Sequence, residues 1–176
     1  MIWIIFNFLC LLAGNEALSF DFGQHTSDWY TVNDGVMGGV SRGEIDYSAE
    51  TMTFNGQLSL ENNGGFASVR SPWSRYDLSK YNKVKIRVRG HGGKFALTLQ
   101  NSRVYYEPTW RFNFVPEAEW QVFEVPLEKL VTTRLGRPMG STMTREDMEK
   151  ILRIGIIKSD KKLDEFRLEI DYLVFQ

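Results

Sequence analysis

Apolar and polar residues alternate along most of the chain, with the period of two that is typical of half-buried β-strands. In the clearest segment, 84–88, valine and isoleucine alternate with lysine and arginine. A glycine-rich turn then leads to a second apolar face at 95–99, so the pattern predicts a β-hairpin. The unbroken apolar face of 166–174 predicts a central strand. Other alternating segments are 18–22, 57–61, 110–114 and 120–125.

A few segments depart from strict alternation. Residues 151–157 are almost continuously apolar, which suits a strand buried on both faces or the end of a helix leading into such a strand. Thr144 stands three residues before Asp147, so we expect a capping box and a short helix there. Residues 127–130 are expected to add one helical turn. The segment 131–144, rich in Thr, Gly, Arg and Pro, is expected to be the longest and most mobile loop.

The fold class follows from these elements. About nine or ten strands with one or two short helices indicate an all-β jelly-roll sandwich. With 176 residues, of which 43% are apolar and 24% charged, the chain has the size and composition of one globular domain. We place that single domain at 18–176.

Charge and cysteine content narrow the function classes. The 21 basic and 22 acidic residues leave a net charge of -1, so no global field favours nucleic acid or an acidic membrane surface. A single cysteine, Cys10, excludes an intramolecular disulfide and a cysteine-based zinc site. With only two histidines, we expect no metal centre and no cofactor.

The first residues have the pattern of a leader. Residues 1–12 are apolar apart from Asn7, and small residues follow at Ala13, Gly14 and Ala17. The run is shorter than the roughly 20 residues of a membrane span, so we interpret 1–17 as a signal peptide. Cleavage would place the protein in the periplasm or outside the cell. Without cleavage we expect it in the cytoplasm or associated with a membrane, with this run as a buried first strand or helix.

Two segments rich in glycine and asparagine, 33–41 and 61–70, favour tight turns over core packing. We expect them to form two loops that meet at one edge of the sandwich. The candidate binding rim consists of Asn33, Asp34, Met37, Gly38, Gly39, Ser41, Asn62, Asn63, Gly64, Gly65 and Arg70, together with Arg137 from a later segment.

These motifs also carry a resemblance to a known family. The blocks 33–41 (NDGVMGGVS), 61–70 (ENNGGFASVR) and 86–90 (IRVRG) resemble the signature of the complex I intermediate-associated protein family. The resemblance extends over about 29–172, although His91 stands where the family usually has an acidic residue. It implies a galactose-binding-like jelly roll that acts as a non-catalytic assembly chaperone of NADH:ubiquinone oxidoreductase, with respiratory subunits as protein partners.

Catalytic chemistry finds little support in the sequence. The glycines at 38–39 lack the Gly-Lys-Ser/Thr pattern of a phosphate-binding loop. Asp34 and Glu61 could form a glycosidase acid and base, which need a separation of roughly 5 to 9.5 Å, but Asp34 is more simply a turn residue. We therefore expect no enzyme. The alternative that stays open is an exported carbohydrate-binding jelly roll with a structural Ca²⁺ held by loop carbonyls and carboxylates.

Two further features allow a structural or a binding interpretation. The basic row Lys83, Lys85, Arg87 and Arg89 is either a solvated strand face or, if it lies near Arg70 and Arg137, an anion- or protein-binding patch. Tyr105, Tyr106 and Trp110 could stack on a sugar ring. The alternation around Trp110 instead favours a core position for that residue.

Overall fold

The computed structural model describes residues 16–24, 28–48 and 50–176. Within them the chain forms thirteen strands and one short helix. The strands are β1 (Leu18–Asp21), β2 (Tyr30–Asn33), β3 (Arg42–Tyr47), β4 (Met52–Gln57), β5 (Ala67–Arg70), β6 (Lys83–His91), β7 (Phe95–Gln100), β8 (Thr109–Phe114), β9 (Gln121–Pro126), β10 (Val131–Arg134), β11 (Arg137–Thr142), β12 (Arg153–Lys158) and β13 (Glu165–Phe175). The helix α1 is Arg145–Met148.

The strands form two antiparallel sheets. The first sheet has the order β3-β4-β13-β6-β9, with β1 also paired to β13. The second sheet has the order β11-β10-β8-β7-β12-β5-β2. Neighbours in each sheet are mostly distant in sequence, as expected for a jelly-roll sandwich. The all-β jelly-roll prediction is therefore confirmed.

The core lies between the inward faces of the two sheets. Phe54 and Phe166 of the first sheet contact each other edge-to-face, with ring centroids 5.0 Å apart. Phe166 also contacts Phe95 of the second sheet at 5.8 Å, so an aromatic cluster joins the sheets. All three side chains are fully buried. Each such ring removes a large apolar area from water, which stabilises the face-to-face packing.

Several predicted elements are confirmed. β13 lies between β4 and β6, as its unbroken apolar face indicated. β12 is buried on both faces over most of its length. Thr144 and Asp147 form the expected capping box, in which the Asp147 N–H donates to the Thr144 hydroxyl at 3.2 Å and the Thr144 N–H donates to the Asp147 carboxylate at 2.9 Å. Leu127–Lys129 forms the expected single turn.

The predicted hairpin between 84–88 and 95–99 is wrong. β6 belongs to the first sheet and β7 to the second, so the turn between them carries the chain from one sheet to the other. Both edges of β6 are already paired, to β13 and to β9, and no edge remains for β7. Gly92 and Gly93, with φ of 99° and 97°, adopt the left-handed backbone that this crossing requires.

The predicted loop 131–144 is also wrong, because it contains the β10–β11 hairpin. Arg134 pairs with Arg137, and the two residues between them, Leu135 and Gly136, have φ of 48° and 77°. Positive φ at both positions is typical of a two-residue hairpin turn. The predicted strand at 57–61 is displaced as well, since β4 ends at Gln57.

The interpretation of 1–17 as a signal peptide falls almost entirely on residues outside the described part of the chain. It stays a prediction. Among the residues that the structure describes, none of the helices has the length and apolar character that crossing a membrane would need.

Candidate functional site

The two glycine-rich loops meet, and Asp34 is the group that joins them. Asp34 begins a 3-10 turn, and its residue is only 1% exposed. Its carboxylate accepts hydrogen bonds from the backbone N–H groups of Ser41, Gly65 and Phe66, at 2.9, 2.6 and 3.3 Å. The Ser41 hydroxyl donates a fourth bond. One carboxylate therefore holds both loops in a fixed arrangement.

Two glycines make room for this carboxylate. A Cβ atom on Gly64 would lie 2.5 Å from the Asp34 Oδ2, and one on Gly39 would overlap the Asp34 carboxyl carbon. Side-chain carbon and oxygen atoms do not approach so closely without displacement of one of them. The glycines at these two positions are thus required by the close approach of the loops to Asp34.

The pKa of Asp34 follows from the same contacts. Burial alone raises the pKa of this carboxyl, but the hydrogen bonds from the Ser41 hydroxyl and from the backbone of Gly65, Ser41 and Phe66 outweigh it, so the pKa lies below its ordinary value. A general acid at neutral pH needs a raised pKa instead. With Glu61 exposed on the second loop, the pairing of these two carboxylates as glycosidase acid and base gains no support.

Other polar residues of the predicted rim are also used within the chain. The Asn62 side chain donates to the Gly38 carbonyl at 3.0 Å, and the Asn33 side chain donates to the Gly43 carbonyl at 3.1 Å. Asn63 adopts a left-handed backbone, with φ of 60°. These groups shape the loops and offer few free hydrogen-bonding atoms to a ligand.

The loops instead present apolar side chains to solvent. Val36 is 76% exposed and Met37 65%, and Val40 and Leu60 are exposed beside them in the same two loops. We call Val36, Met37, Val40 and Leu60 the apolar rim. Exposed apolar side chains on loops held by buried hydrogen bonds are typical of a protein-interaction surface. Met37 was a predicted site residue, whereas Val36, Val40 and Leu60 were missed. Val36 and Val40 stand in the glycine-rich segment 33–41, but Leu60 belongs to the segment 57–61, whose alternation predicted a strand.

The structure does not bring every predicted site residue to this rim. Arg70 lies at the far end of β5, and Arg137 lies on β11, at the opposite edge of the second sheet.

The basic row of β6 lies in the first sheet, where Arg87 pairs with Asp171 and Arg89 with Glu169. Lys83 and Lys85 of that row both pair with Glu124. A patch that joins the basic row with Arg70 and Arg137 is therefore not formed.

Of the three aromatic residues that could stack on a sugar ring, one lies in the core and two lie on the surface. Trp110 is buried in the core, as its alternation indicated. Tyr105 and Tyr106 are exposed and contact each other edge-to-face in the connection between β7 and β8. Across the described ranges, no three His, Cys, Asp or Glu side chains converge on a point where they could hold a metal ion.

Thirteen strands in two packed sheets, with two glycine-rich loops that meet at one edge, define this protein as a jelly-roll β-sandwich. The model of the family described as complex I intermediate-associated protein 30 matches residues 18–170. The chain therefore belongs to this family, and the resemblance carried by the motif blocks is confirmed.

Named relatives agree with this assignment. A complex I intermediate-associated protein 30, mitochondrial, of Drosophila melanogaster is 25% identical over 170 residues, which is 82% of this chain and 57% of the relative. A probable complex I intermediate-associated protein 30, mitochondrial, of Caenorhabditis elegans is 29% identical over 99 residues, which is 53% of this chain and 28% of the relative. The chain thus matches little more than half, or less, of the length of these relatives.

Solved structures show the same fold. A family 11 carbohydrate-binding module from Clostridium thermocellum, in complex with a mixed-linked tetrasaccharide, superposes with a TM-score of 0.64 at 14% identity, over 90% of this chain and 94% of the module. The agarase AgWH50C gives a TM-score of 0.59 at 18% identity, over 91% of this chain and 24% of the enzyme. At such low identity these likenesses show the sandwich architecture alone.

Proposed function

We propose that this chain is a non-catalytic protein-binding module that assists the assembly of NADH:ubiquinone oxidoreductase, in the manner of a chaperone, and that it docks on its partners through the apolar rim. Membership of the complex I intermediate-associated protein 30 family supports the class of function. The observation that carries the docking surface is the exposure of Val36 and Met37 on loops that the buried Asp34 carboxylate holds in place.

Preorganisation is the physical reason to prefer this surface. A loop that must become ordered on binding loses conformational entropy, which weakens association. Here the hydrogen bonds of Asp34 fix the loops in the free protein, so Met37 and Val36 are already presented. Methionine also adapts its shape to different apolar partners, which suits a protein that contacts several assembly intermediates.

Capture from native membranes tests this proposal. The tagged chain should recover subunits of NADH:ubiquinone oxidoreductase, identified by mass spectrometry. The double variant Val36→Asp/Met37→Asp should recover them at near-background levels, because a carboxylate in an apolar interface loses its hydration without a partner. Both side chains are exposed, so we expect the melting temperature to stay close to that of the wild type.

A matched control is Val115→Asp, which places the same charge at an exposed valine outside the rim. It should recover the subunits as well as the wild type does. If no respiratory subunit is recovered by the wild type, the assembly role is wrong. If both variants recover subunits equally well, the assembly role stands but the rim is not the docking surface.

The compartment is a separate question. The named relatives are mitochondrial, whereas the signal-peptide interpretation of residues 1–17 predicts export. Sequencing the N-terminus of the mature protein, together with cell fractionation, distinguishes these alternatives. The carbohydrate-binding alternative rests on the shared fold alone, and silence on a glycan array would remove it.

A further inference from the structure

Three arginines share the outer face of the second sheet. Cross-strand pairing places Arg70 opposite Gly155, Gly155 opposite Thr98, and Thr98 opposite Arg111, so these residues form one row across four strands. Arg153 stands two residues before Gly155 on β12 and therefore points to the same side. We call Arg70, Arg111 and Arg153 the arginine face.

Gly155 leaves room for the Arg70 side chain on this face. A Cβ atom at this position would lie 3.4 Å from the Arg70 Cγ and 3.1 Å from the Thr98 hydroxyl oxygen. The Arg70 side chain thus passes Gly155 of β12 at its Cγ and then runs back along its own strand to Ser68. A side chain at position 155 would contact this path.

The arginine side chains are partly or largely buried, and their hydrogen-bond partners are neutral. Arg70 donates from Nε to the Ser68 hydroxyl at 2.9 Å, and Arg111 donates from Nη2 to the Ser159 hydroxyl at 2.7 Å. Arg153, only 5% exposed, donates to a tyrosine hydroxyl. The Nε atoms of Arg111 and Arg153 are buried without a hydrogen-bond partner in the structure.

No carboxylate balances these charges. The described residues include every Asp and Glu of the chain, and none of them forms an ion pair with Arg70, Arg111 or Arg153. The first sheet shows the opposite arrangement, because all four cations of its basic row have acidic partners. The basic row of the first sheet is therefore neutralised, whereas the arginine face of the second sheet is not.

The pKa values of Arg70 and Arg111 reflect the burial of their side chains. Burial lowers the pKa of Arg70, and the neighbouring charge of Arg153 lowers it further, against a smaller opposing effect of Tyr30. Burial also lowers the pKa of Arg111. Guanidinium groups stay protonated at every pH that proteins tolerate, so the charges persist, and those of Arg70 and Arg153 repel each other. Aromatic rings offset part of the cost, since the Arg153 guanidinium carbon lies 3.4 Å from the centroid of the Trp73 ring.

From this arrangement we propose that Arg70 and Arg153, the two members of the arginine face whose charges lie close enough to interact, bind an oxyanion, the carboxylate or phosphate group of a ligand. The planar guanidinium fork matches both groups and binds them through paired hydrogen bonds. The oxyanion would supply the missing counter-charge beside Arg70 and Arg153 and would accept a hydrogen bond from the buried Nε of Arg153. The site is separate from the apolar rim, because Tyr30 and Arg70 lie at the ends of β2 and β5 that are remote from the rim loops.

Melting and NMR measurements test the proposal, with inorganic phosphate, succinate and neutral cellotetraose as probes at constant ionic strength in chloride. Phosphate or succinate should raise the melting temperature of the wild type at about 10 mM, whereas cellotetraose should not. The same anion should shift the arginine Nε–H signal of Arg153, whereas that of Arg111, whose guanidinium lies beside Ser159, should shift less. Which anion acts at the lower concentration distinguishes a phosphate ligand from a carboxylate ligand.

Arg70→Gln and Arg153→Gln should each weaken the anion effect by about tenfold or more. Glutamine keeps a polar side chain of similar reach, so both variants should fold. The matched control is Arg87→Gln, which removes an arginine from the outer face of the first sheet, where Asp171 already pairs with it. This variant should respond to the anion as the wild type does.

Three results would overturn the proposal. The first is no anion-dependent shift in melting temperature or in the arginine signals of the wild type. The second is an equal response in Arg70→Gln, Arg153→Gln and Arg87→Gln, which would show non-specific ion effects. The third is a response to cellotetraose as large as that to the anions, which would indicate a sugar site that does not depend on charge.

Discussion

At the scale of single residues, Asp34 shows how a residue that looks like a ligand-binding group can serve the fold. Its carboxylate is almost completely buried and accepts four hydrogen bonds from the two rim loops. The Ser41 hydroxyl that donates to it also accepts from the Ser59 N–H at 2.9 Å. The Asp34 carboxylate and the Ser41 hydroxyl thus serve contacts within the chain, while the apolar rim stays exposed to solvent.

Replacing this carboxylate tests its structural role. We expect Asp34→Asn to lower the free energy of unfolding by about 2 to 4 kcal/mol near neutral pH, because the amide cannot accept all four bonds and its NH₂ faces other donors. The exposed Glu61→Gln on the neighbouring loop should change it by less than about 0.5 kcal/mol. Urea denaturation of the three proteins measures both values.

The difference in unfolding free energy between the wild type and Asp34→Asn should depend on pH. The pKa of Asp34 is lowered in the folded state, so its stabilisation is complete above the unfolded pKa of about 3.9 and is lost as the pH falls through the folded value. The difference between wild type and Asp34→Asn should therefore be largest near neutral pH and shrink below about pH 4. A difference that stays constant into acid would show that the charge of Asp34 contributes nothing.

At the scale of elements, the sequence located the strands that local alternation of apolar and polar residues determines. It failed where the place of a strand depends on pairing with strands distant in sequence. The alternation of β6 and the apolar face of β13 located both strands correctly. It could not show that β7 joins the other sheet, because this depends on β9 and β13 already occupying the edges of β6. The β10–β11 hairpin was missed for a local reason: Leu135 adopts positive φ, which leucine rarely does.

The sequence also predicted one part of the surface described above and missed another. The glycine and asparagine content of the two loops indicated that they meet, since these residues favour tight turns. The arginine face was invisible, because its members come from three strands that are far apart in sequence. Only the sheet order places Arg70, Arg111 and Arg153 on one surface, and only the structure shows that the basic row of β6 is neutralised while they are not.

The end of β12 illustrates how one ion pair can anchor an element. Lys158 is fully buried and pairs with Asp160, and its ammonium nitrogen lies 5.5 Å from the centroid of the Phe95 ring. Asp160 also accepts a hydrogen bond from the Lys94 N–H at 2.8 Å. The pair therefore ties β12 to the start of β7, next to the turn where the chain crosses between sheets.

A double-mutant comparison measures this anchor. Asp160→Asn should cost about 3 kcal/mol of unfolding free energy, because it leaves the Lys158 charge buried without a counter-ion. Lys158→Met in the Asp160→Asn background should restore more than about 1 kcal/mol, since the buried charge is then removed. Lys150→Met, which breaks the exposed pair with Glu146, should change the value by less than about 0.5 kcal/mol. If the double variant is no more stable than Asp160→Asn, the buried charge is not the cause of the loss.

At the scale of the whole molecule, the net charge is only -1. The outer faces of the two sheets nevertheless differ in their electrostatic interactions. The outer face of the first sheet alternates cations with acidic partners, so its ion pairs are attractive. The outer face of the second sheet carries the arginine face, where the charges of Arg70 and Arg153 repel each other. Salt screens both, and the Debye length falls from about 10 Å at 0.1 M to about 3 Å at 1 M. Screening should therefore weaken the first sheet and relieve the second.

Because salt acts on the two sheets in opposite directions, the salt dependence of the unfolding free energy tests both together. We expect the free energy of unfolding of the wild type to change little between low and high NaCl, because the two contributions largely cancel. Arg70→Gln removes part of the repulsion and leaves the attractive pairs, so salt should destabilise this variant by about 0.5 to 1 kcal/mol. Arg87→Gln removes an attractive pair instead, so salt should stabilise it relative to the wild type. Urea denaturation at the two salt concentrations measures the three slopes, and equal slopes would contradict the separation of charge between the sheets.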